Sequence, residues 1–260
     1  MGDEIGGDLE IGLKAVREAA EELALQNRLV DVALIIDLSQ SMRPCIRNLA
    51  EHLDTFVSGL RHYEVKVATG RVVLDAQIAI VGHRATHGKI IELFVQPFTQ
   101  DLARTCRSLG QLADLAGRRS EATLHAVDWA IDHLDWREGE HRRTLAVFTD
   151  ERVSTGDLTG VTAETVPHFL EKLFGFTLFL AAPVTRSDRA PVTYAELAKM
   201  SFCKGHYEVR GARDAEWAKV DYGALLDGLA KSASLASSMI GGRLLPDVFH
   251  AQAMTIITAL

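Results

Sequence analysis

The chain has 260 residues, 47% of them hydrophobic and 24% charged, which suits one large α/β domain with additions and is marginal for two. A formal net charge of −7 with a pI near 5.8 argues against a broadly basic, nucleic-acid-binding surface. Three widely separated cysteines (Cys45, Cys106, Cys203) form no C-x-x-C pair, which argues against a disulfide framework and favours reduced thiols in a cytoplasm. Met1 to Ile5 is acidic and lacks the basic-then-apolar order of a signal peptide. No stretch approaches about 18 uninterrupted apolar residues. A cytoplasmic protein that neither spans a membrane nor binds nucleic acid is therefore expected.

Residues 8–26 place Leu9, Leu13, Val16, Ala20, Leu23 and Ala24 at helical spacing among charged residues. This predicts an N-terminal helical extension over 1–28, packed outside a sheet. Residues 29–37 form the first strand, apolar almost throughout, as a central strand covered on both faces should be. A helix follows over 43–61, with Pro44 in its first turn and Ile46, Leu49, Leu53, Phe56, Val57 and Leu60 on its inner face. Strands are predicted over Val72–Gly82 and Lys89–Val95, joined by a turn at His83–Gly88. The link is too short for a parallel crossover, so these two pair antiparallel. Helices over 100–115 and 121–136 precede a strand over Arg143–Thr149 that ends at Asp150. A loop over 152–162, a helix over 164–174 and a strand over Phe176–Ala182 come next. Pro183 and Pro191 bracket a loop. The remainder reads as a helix near 193–201, a strand near 206–210, a long amphipathic helix over 214–238, and a tail over 241–260. Strands alternating with helices, interrupted by one hairpin, predict a three-layer, doubly wound α/β fold. Its sheet is mostly parallel with one antiparallel edge strand.

The chemistry gathers at Asp37-Leu38-Ser39-Gln40-Ser41, where the apolar run Val32-Ala33-Leu34-Ile35-Ile36 ends and a helix opens. In an open α/β sheet, ligands bind at the carboxyl ends of the strands. Alternate residues after a strand end can curl so that one carboxylate and two hydroxyls converge. Oxygen-only donors suit a hard cation such as Mg²⁺ or Mn²⁺, which keeps several waters and leaves a position for an outside group. Asp150 ends an apolar strand expected beside the first, where strand order reverses, and supplies a second acid. The simpler alternative is helix capping, since Asp and Ser are favoured caps.

The D-x-S-x-S run (Asp37, Ser39, Ser41) and the later apolar strand ending Thr149-Asp150 resemble the von Willebrand factor A family, intracellular bacterial type. Val81-Gly82-His83-Arg84 and Leu134-Asp135-Trp136-Arg137 are similar to segments of its bacterial and alpha-kinase-associated members. The resemblance covers about 29–182, within a domain expected over 29–240, and thins towards the C-terminus. It implies a von Willebrand factor A-like fold and a metal-ion-dependent adhesion site holding Mg²⁺ (or Mn²⁺) through Asp37, Ser39, Ser41 and Asp150. It further implies a non-enzymatic adaptor binding an acidic residue of another protein. The partner could be an AAA+ ATPase, kinase or phosphatase of a bacterial stress or defence system. The family supplies a further Thr or Asp from the loop that here reads Gly117-Arg118-Arg119-Ser120-Glu121-Ala122. A guanidinium about 5 Å from a divalent ion, at an effective dielectric of about 20, opposes it by roughly 7 kcal/mol. Either Ser120 or water takes that position with the arginine turned outward to meet the partner, or Arg118 and Arg119 serve a metal-independent scaffold.

An enzyme is not expected. The phosphotransferase alternative, a Mg²⁺-dependent haloacid-dehalogenase-like site, needs an Asp where Ser39 stands, and no G-x-S-x-G or H-E-x-x-H motif is present. His83 with His87, and Cys203 with His206, read as surface or core polar groups rather than zinc ligands. Arg142-Arg143 reads as a solvated strand start. Trp129 and Trp136, seven apart on one helix face, read as packing residues.

Overall fold

Every residue from Val30 to Asp37 is buried, and the strand they form, β1 (Leu29–Asp37), is the axis of the molecule. The computed structural model describes residues 29–62, 65–67, 70–72, 75–86, 90–117, 122–139, 142–153, 161–183, 190–209 and 217–235. After β1 come a 3₁₀ turn (Gln40–Met42), α1 (Arg43–His62), β2 (Val65–Val67), β3 (Gly70–Val72), β4 (Asp75–Thr86) and β5 (Ile90–Thr99). They are followed by α2 (Leu102–Leu115), α3 (Thr123–His133), β6 (Arg142–Phe148), α4 (Val166–Leu173) and β7 (Thr177–Ala182). The last described elements are α5 (Tyr194–Leu197), β8 (Cys203–Glu208) and α6 (Tyr222–Leu235).

The main sheet runs β5-β4-β1-β6-β7-β8. All its pairs are parallel except β4 with the edge strand β5. This is the mostly parallel, doubly wound α/β architecture expected from the alternation of elements. Strand order reverses between β1 and β6, where Ile36 lies opposite Phe148, so Asp37 and Thr149-Asp150 emerge side by side. The pleat divides β1 between two cores. Val30, Val32, Leu34 and Ile36 pack with α1, α2 and α6, while Ala33 and Ile35 pack with α3, α4 and α5. A strand covered on both sides has no polar face, which explains its unbroken apolar run.

Several elements differ from the sequence expectation. His83–Thr86 is not a turn: β4 continues through it, and Arg84 pairs across to Glu92 on β5 at 2.6 Å. The small antiparallel pair β2–β3 was not foreseen. The last helix does not run unbroken over 214–238. The chain turns after Trp217, and Asp221 starts α6 by accepting from the Ala224 N–H (3.0 Å). The final strand begins at Cys203 rather than near residue 206. Trp136 is not on the helix that carries Trp129, because α3 stops at His133. It packs edge-on against Phe98 and Phe176 instead. Arg142 is not solvated: only 2% exposed, it lies on the α1/α6 side of β6, and burial lowers its pKa to about 10. The extension over 1–28 and the tail over 241–260 lie outside the described residues.

The amino-end edge of the sheet is held by Arg137. Its Nε donates to Asp31 Oδ1 (2.6 Å), its backbone N–H to Asp31 Oδ2 (3.0 Å), and its Nη2 to the carbonyls of Val30 and Asp75 (3.0 Å each). Asp31 is fully buried. Taking the guanidinium from a buried carboxylate is far costlier than breaking a surface pair. Arg137→Ala is expected to lose about 3 kcal/mol of unfolding free energy, read as a fall in the urea midpoint. A change within a few tenths of a kcal/mol would mean the pair behaves as an exposed one.

Candidate functional site

The site is assembled at the carboxyl edge of the sheet. The Leu38 N–H donates to the His83 carbonyl (2.9 Å), so β1 stays tied to β4 one residue beyond Asp37. Ser39 then forms a single parallel bridge with Gly117, whose N–H donates to the Leu38 carbonyl (2.9 Å). The Met42 N–H closes the turn onto the Ser39 carbonyl (3.1 Å). The chain thus curls directly after the strand, and three side chains turn towards one region.

Asp37 is fully buried and both its oxygens accept. Oδ1 takes the Ser39 N–H at 2.7 Å, and Oδ2 takes the Thr149 hydroxyl at 3.0 Å across the β1–β6 boundary. The Ser39 and Ser41 hydroxyls lie 3.1 Å apart. Ser39 makes no side-chain cap, so helix capping does not account for its hydroxyl. Asp150 is 2% exposed, and its charge acts together with that of Asp37 on the same buried thiol, Cys45. Burial is the main cause of that thiol's raised pKa, and the two acids push it the same way. Asp37 and Ser39 are thus joined within one turn, the Ser39 and Ser41 hydroxyls are paired, and Asp150 directly follows Thr149, which is bonded to Asp37. Arg118, Arg119 and Ser120 lie outside the described residues.

Four further side chains lie around this edge. Arg43 donates to the carbonyls of Ala113 (3.1 Å) and Ala116 (2.9 Å), and Arg84 to that of Leu115 (3.1 Å). Together they grip the carbonyl end of α2, where a cation is favoured, and so fix Gly117 beside Ser39. Tyr194, 3% exposed, packs in the second core with Leu124 and Val192. Burial raises the phenol's pKa, and the Asp37 and Glu151 charges add to the effect. His83, in register with Asp37, is fully buried on the α3 side. Of these, Arg43 stands near the D-x-S-x-S run in sequence, and His83 and Arg84 close the Val81-Gly82-His83-Arg84 segment in register beside it. Tyr194 alone of the four is far from both.

The donors are hard oxygens: two hydroxyls and two carboxylates. Among the described residues no group of three or more His, Cys, Asp and Glu is arranged to hold a metal ion. A cation here has to use hydroxyls, which the close Ser39–Ser41 pair provides. Two buried acids and no histidine or thiolate donor fit Mg²⁺ or Mn²⁺ better than a soft ion. No described helix is long and apolar enough to cross a membrane.

The fold and site together define a doubly wound α/β domain with a hydroxyl–carboxylate site at its topological switch point. No protein-family profile matches the sequence, and no curated protein matches it. Solved structures do overlap it. The pilus adhesin SpaC of Lactobacillus rhamnosus GG is 13% identical, with a TM-score of 0.49 over 80% of this chain and 31% of the adhesin. Proximal thread matrix protein 1 of the mussel byssus is 14% identical, with a TM-score of 0.48 over 80% of this chain and 49% of that protein. Another structure of the mussel protein has a zinc-occupied MIDAS motif. BatB of Bacteroides thetaiotaomicron is 18% identical, with a TM-score of 0.46 over 78% of this chain and 98% of that one. The chain thus spans about a third of the adhesin and half of the matrix protein. The strand order and site geometry, not these loose overlaps, carry the functional reading.

Burial of His83, helped by the neighbouring His125, pushes its pKa from 6.5 down to about 3. The folded state therefore resists protonation that the unfolded chain accepts. The resulting stability is fully present above pH 6.5 and is lost as pH falls towards 3, by about 1.4 kcal/mol per pH unit. His83→Gln removes this component. Urea unfolding between pH 7 and pH 4 is expected to show a flatter stability profile for the variant than for the wild type. Parallel profiles would contradict it.

Proposed function

We propose that the chain is a von Willebrand factor A-like interaction module, not an enzyme, that binds an acidic side chain of another protein at the carboxyl edge of its sheet. One observation carries the reading: the Thr149–Asp37 hydrogen bond beside the Ser39–Ser41 hydroxyl pair brings oxygens from both strands of the switch point to one place. Ser39, Ser41, Asp37 and Asp150 would hold Mg²⁺ or Mn²⁺. When bound, the ion supplies a site for an outside carboxylate, because neutral hydroxyls leave much of its charge uncompensated. Asp37 is kept from rotating by two donors, so the protein's part is to present a fixed set of oxygens rather than to move protons. The resemblance of the motif supports a cytoplasmic bacterial adaptor working beside an ATPase, kinase or phosphatase of a stress or defence system.

Divalent binding to the folded state alone raises stability by about 2.7 kcal/mol at a hundredfold excess over the dissociation constant. Mg²⁺ or Mn²⁺ is therefore expected to raise the melting temperature of the wild type but not of Asp37→Ala or Ser39→Ala. A melting temperature indifferent to both ions would overturn the metal site and favour the metal-independent scaffold built on Arg118 and Arg119. For the partner, a poly-glutamate peptide should be retained by the immobilised wild type in Mg²⁺, released by EDTA, and not retained by Asp37→Ala. Retention that ignores EDTA and the substitution contradicts capture through the ion.

A further inference from the structure

Arg142 opens β6 at the amino edge of the sheet, shortly after the exposed residues Glu138 and Gly139, yet its own side chain is buried. Among the described residues, no acceptor meets any of its three guanidinium nitrogens. Thr144, two residues on, is fully buried, and its hydroxyl is equally unmatched. Alternate residues of a strand share a face, so both side chains leave β6 on the α1/α6 side, from positions about 7 Å apart. Val30 and Val32 of β1 stand beside them, and Thr177 of β7 stands beside Thr144. A short polar strip thus begins a strand face that further on packs Ala146 and Phe148 into the first core.

An internal ion pair does not explain the arginine. Arg137, at the same edge, shows such a pair complete, with Asp31 and the carbonyls of Val30 and Asp75 accepting from it. Asp31 belongs to the other face of the sheet, in register with Arg143 rather than Arg142. The acids of the two covering helices, Glu51 and Asp54 on α1 and Asp227 on α6, are exposed. Neutralisation does not explain it either, because a pKa lowered to about 10 leaves the group charged at neutral pH. A guanidinium has donors and no acceptor, arranged in a planar fork that fits two oxygens on one centre. The threonine hydroxyl adds a further donor on the same face. A buried charge of this kind is unfavourable until an oxygen-rich anion meets it.

We propose that Arg142 and Thr144 form an oxyanion-binding site at the amino edge of the sheet, which takes a small free carboxylate or phosphate on the guanidinium fork with the Thr144 hydroxyl as a third donor. The site lies at the opposite end of the strands from Asp37 and does not rest on the function proposed above.

Urea unfolding at pH 7 in sodium phosphate, sodium acetate and sodium chloride of equal ionic strength tests it. Salts act on every protein surface, so the informative quantity is the difference between the wild type and Arg142→Met. Phosphate or acetate is expected to raise the wild-type midpoint above its chloride value by more than it raises that of Arg142→Met. Which of the two anions acts identifies the class of ligand. Midpoints that shift equally in the two proteins with both anions overturn the site. Thr144→Val, of the same shape, decides the matter should Arg142→Met not fold. Isothermal titration with inorganic phosphate or acetate, whichever acts, is expected to show one site on the wild type, bound roughly three- to tenfold more weakly by Thr144→Val for the loss of one hydrogen bond. Unchanged affinity in that variant overturns the paired site.

Discussion

A carboxylate with no solvent contact has to be supplied with donors by the protein, and Asp37 imposes that requirement at the end of β1, which is buried from Val30 onward. Its own turn supplies one donor, the Ser39 N–H, and a strand more than a hundred residues on supplies the other, the Thr149 hydroxyl. The second can arrive only if β6 lies directly beside β1. That adjacency is the topological reversal itself, so the fold and the site are the same constraint seen at two scales. The crossover places β4 and β6 on opposite sides of β1, and the edge between them is where loops from both halves converge.

The two ends of the sheet treat buried acids differently. At the amino edge, Asp31 is closed off by a guanidinium that also satisfies two backbone carbonyls. That is a finished ion pair whose role is to hold strands together. At the carboxyl edge, Asp37 meets an amide and a hydroxyl, which are neutral donors, and stands beside two serine hydroxyls. Arg43 and Arg84, near this edge, donate to the carbonyls of α2.

Much of this was legible in the chain. The unbroken apolar run of β1 marks a central strand, the short link after β4 forces an antiparallel edge, and the acids follow their strands at the expected places. These signals are local or periodic, and burial on two faces leaves no other reading. What was missed is non-local. His83 to Thr86 looks like a turn because histidine, arginine and threonine carry no apolar pattern, yet Arg84 finds Glu92 across the hairpin and the strand continues. Arg142 looks solvated because arginine usually is, and only the helices over its face bury it. The break before α6 is set by one capping aspartate inside an amphipathic run. Tyr194 sits in a loop-rich stretch with no motif, and only the folded chain packs its ring into the second core.

The same distinction explains how the site can be both sparse in motif and well determined in space. Asp37, Ser39, Ser41 and Asp150 carry a recognisable pattern, but a short run of Asp and Ser is chemically ordinary. The side chains that hold it act through the backbone: Arg43 and Arg84 donate to carbonyls at the end of α2, next to Gly117, whose N–H is bonded to the Leu38 carbonyl. Each link spans elements that the chain visits far apart. A substitution in any of them leaves the motif intact in sequence while loosening the geometry it depends on, because orientation tolerances at such a site are fractions of an ångström. The information that turns four oxygens into a site is therefore stored in contacts between elements, and the motif records only where those contacts converge.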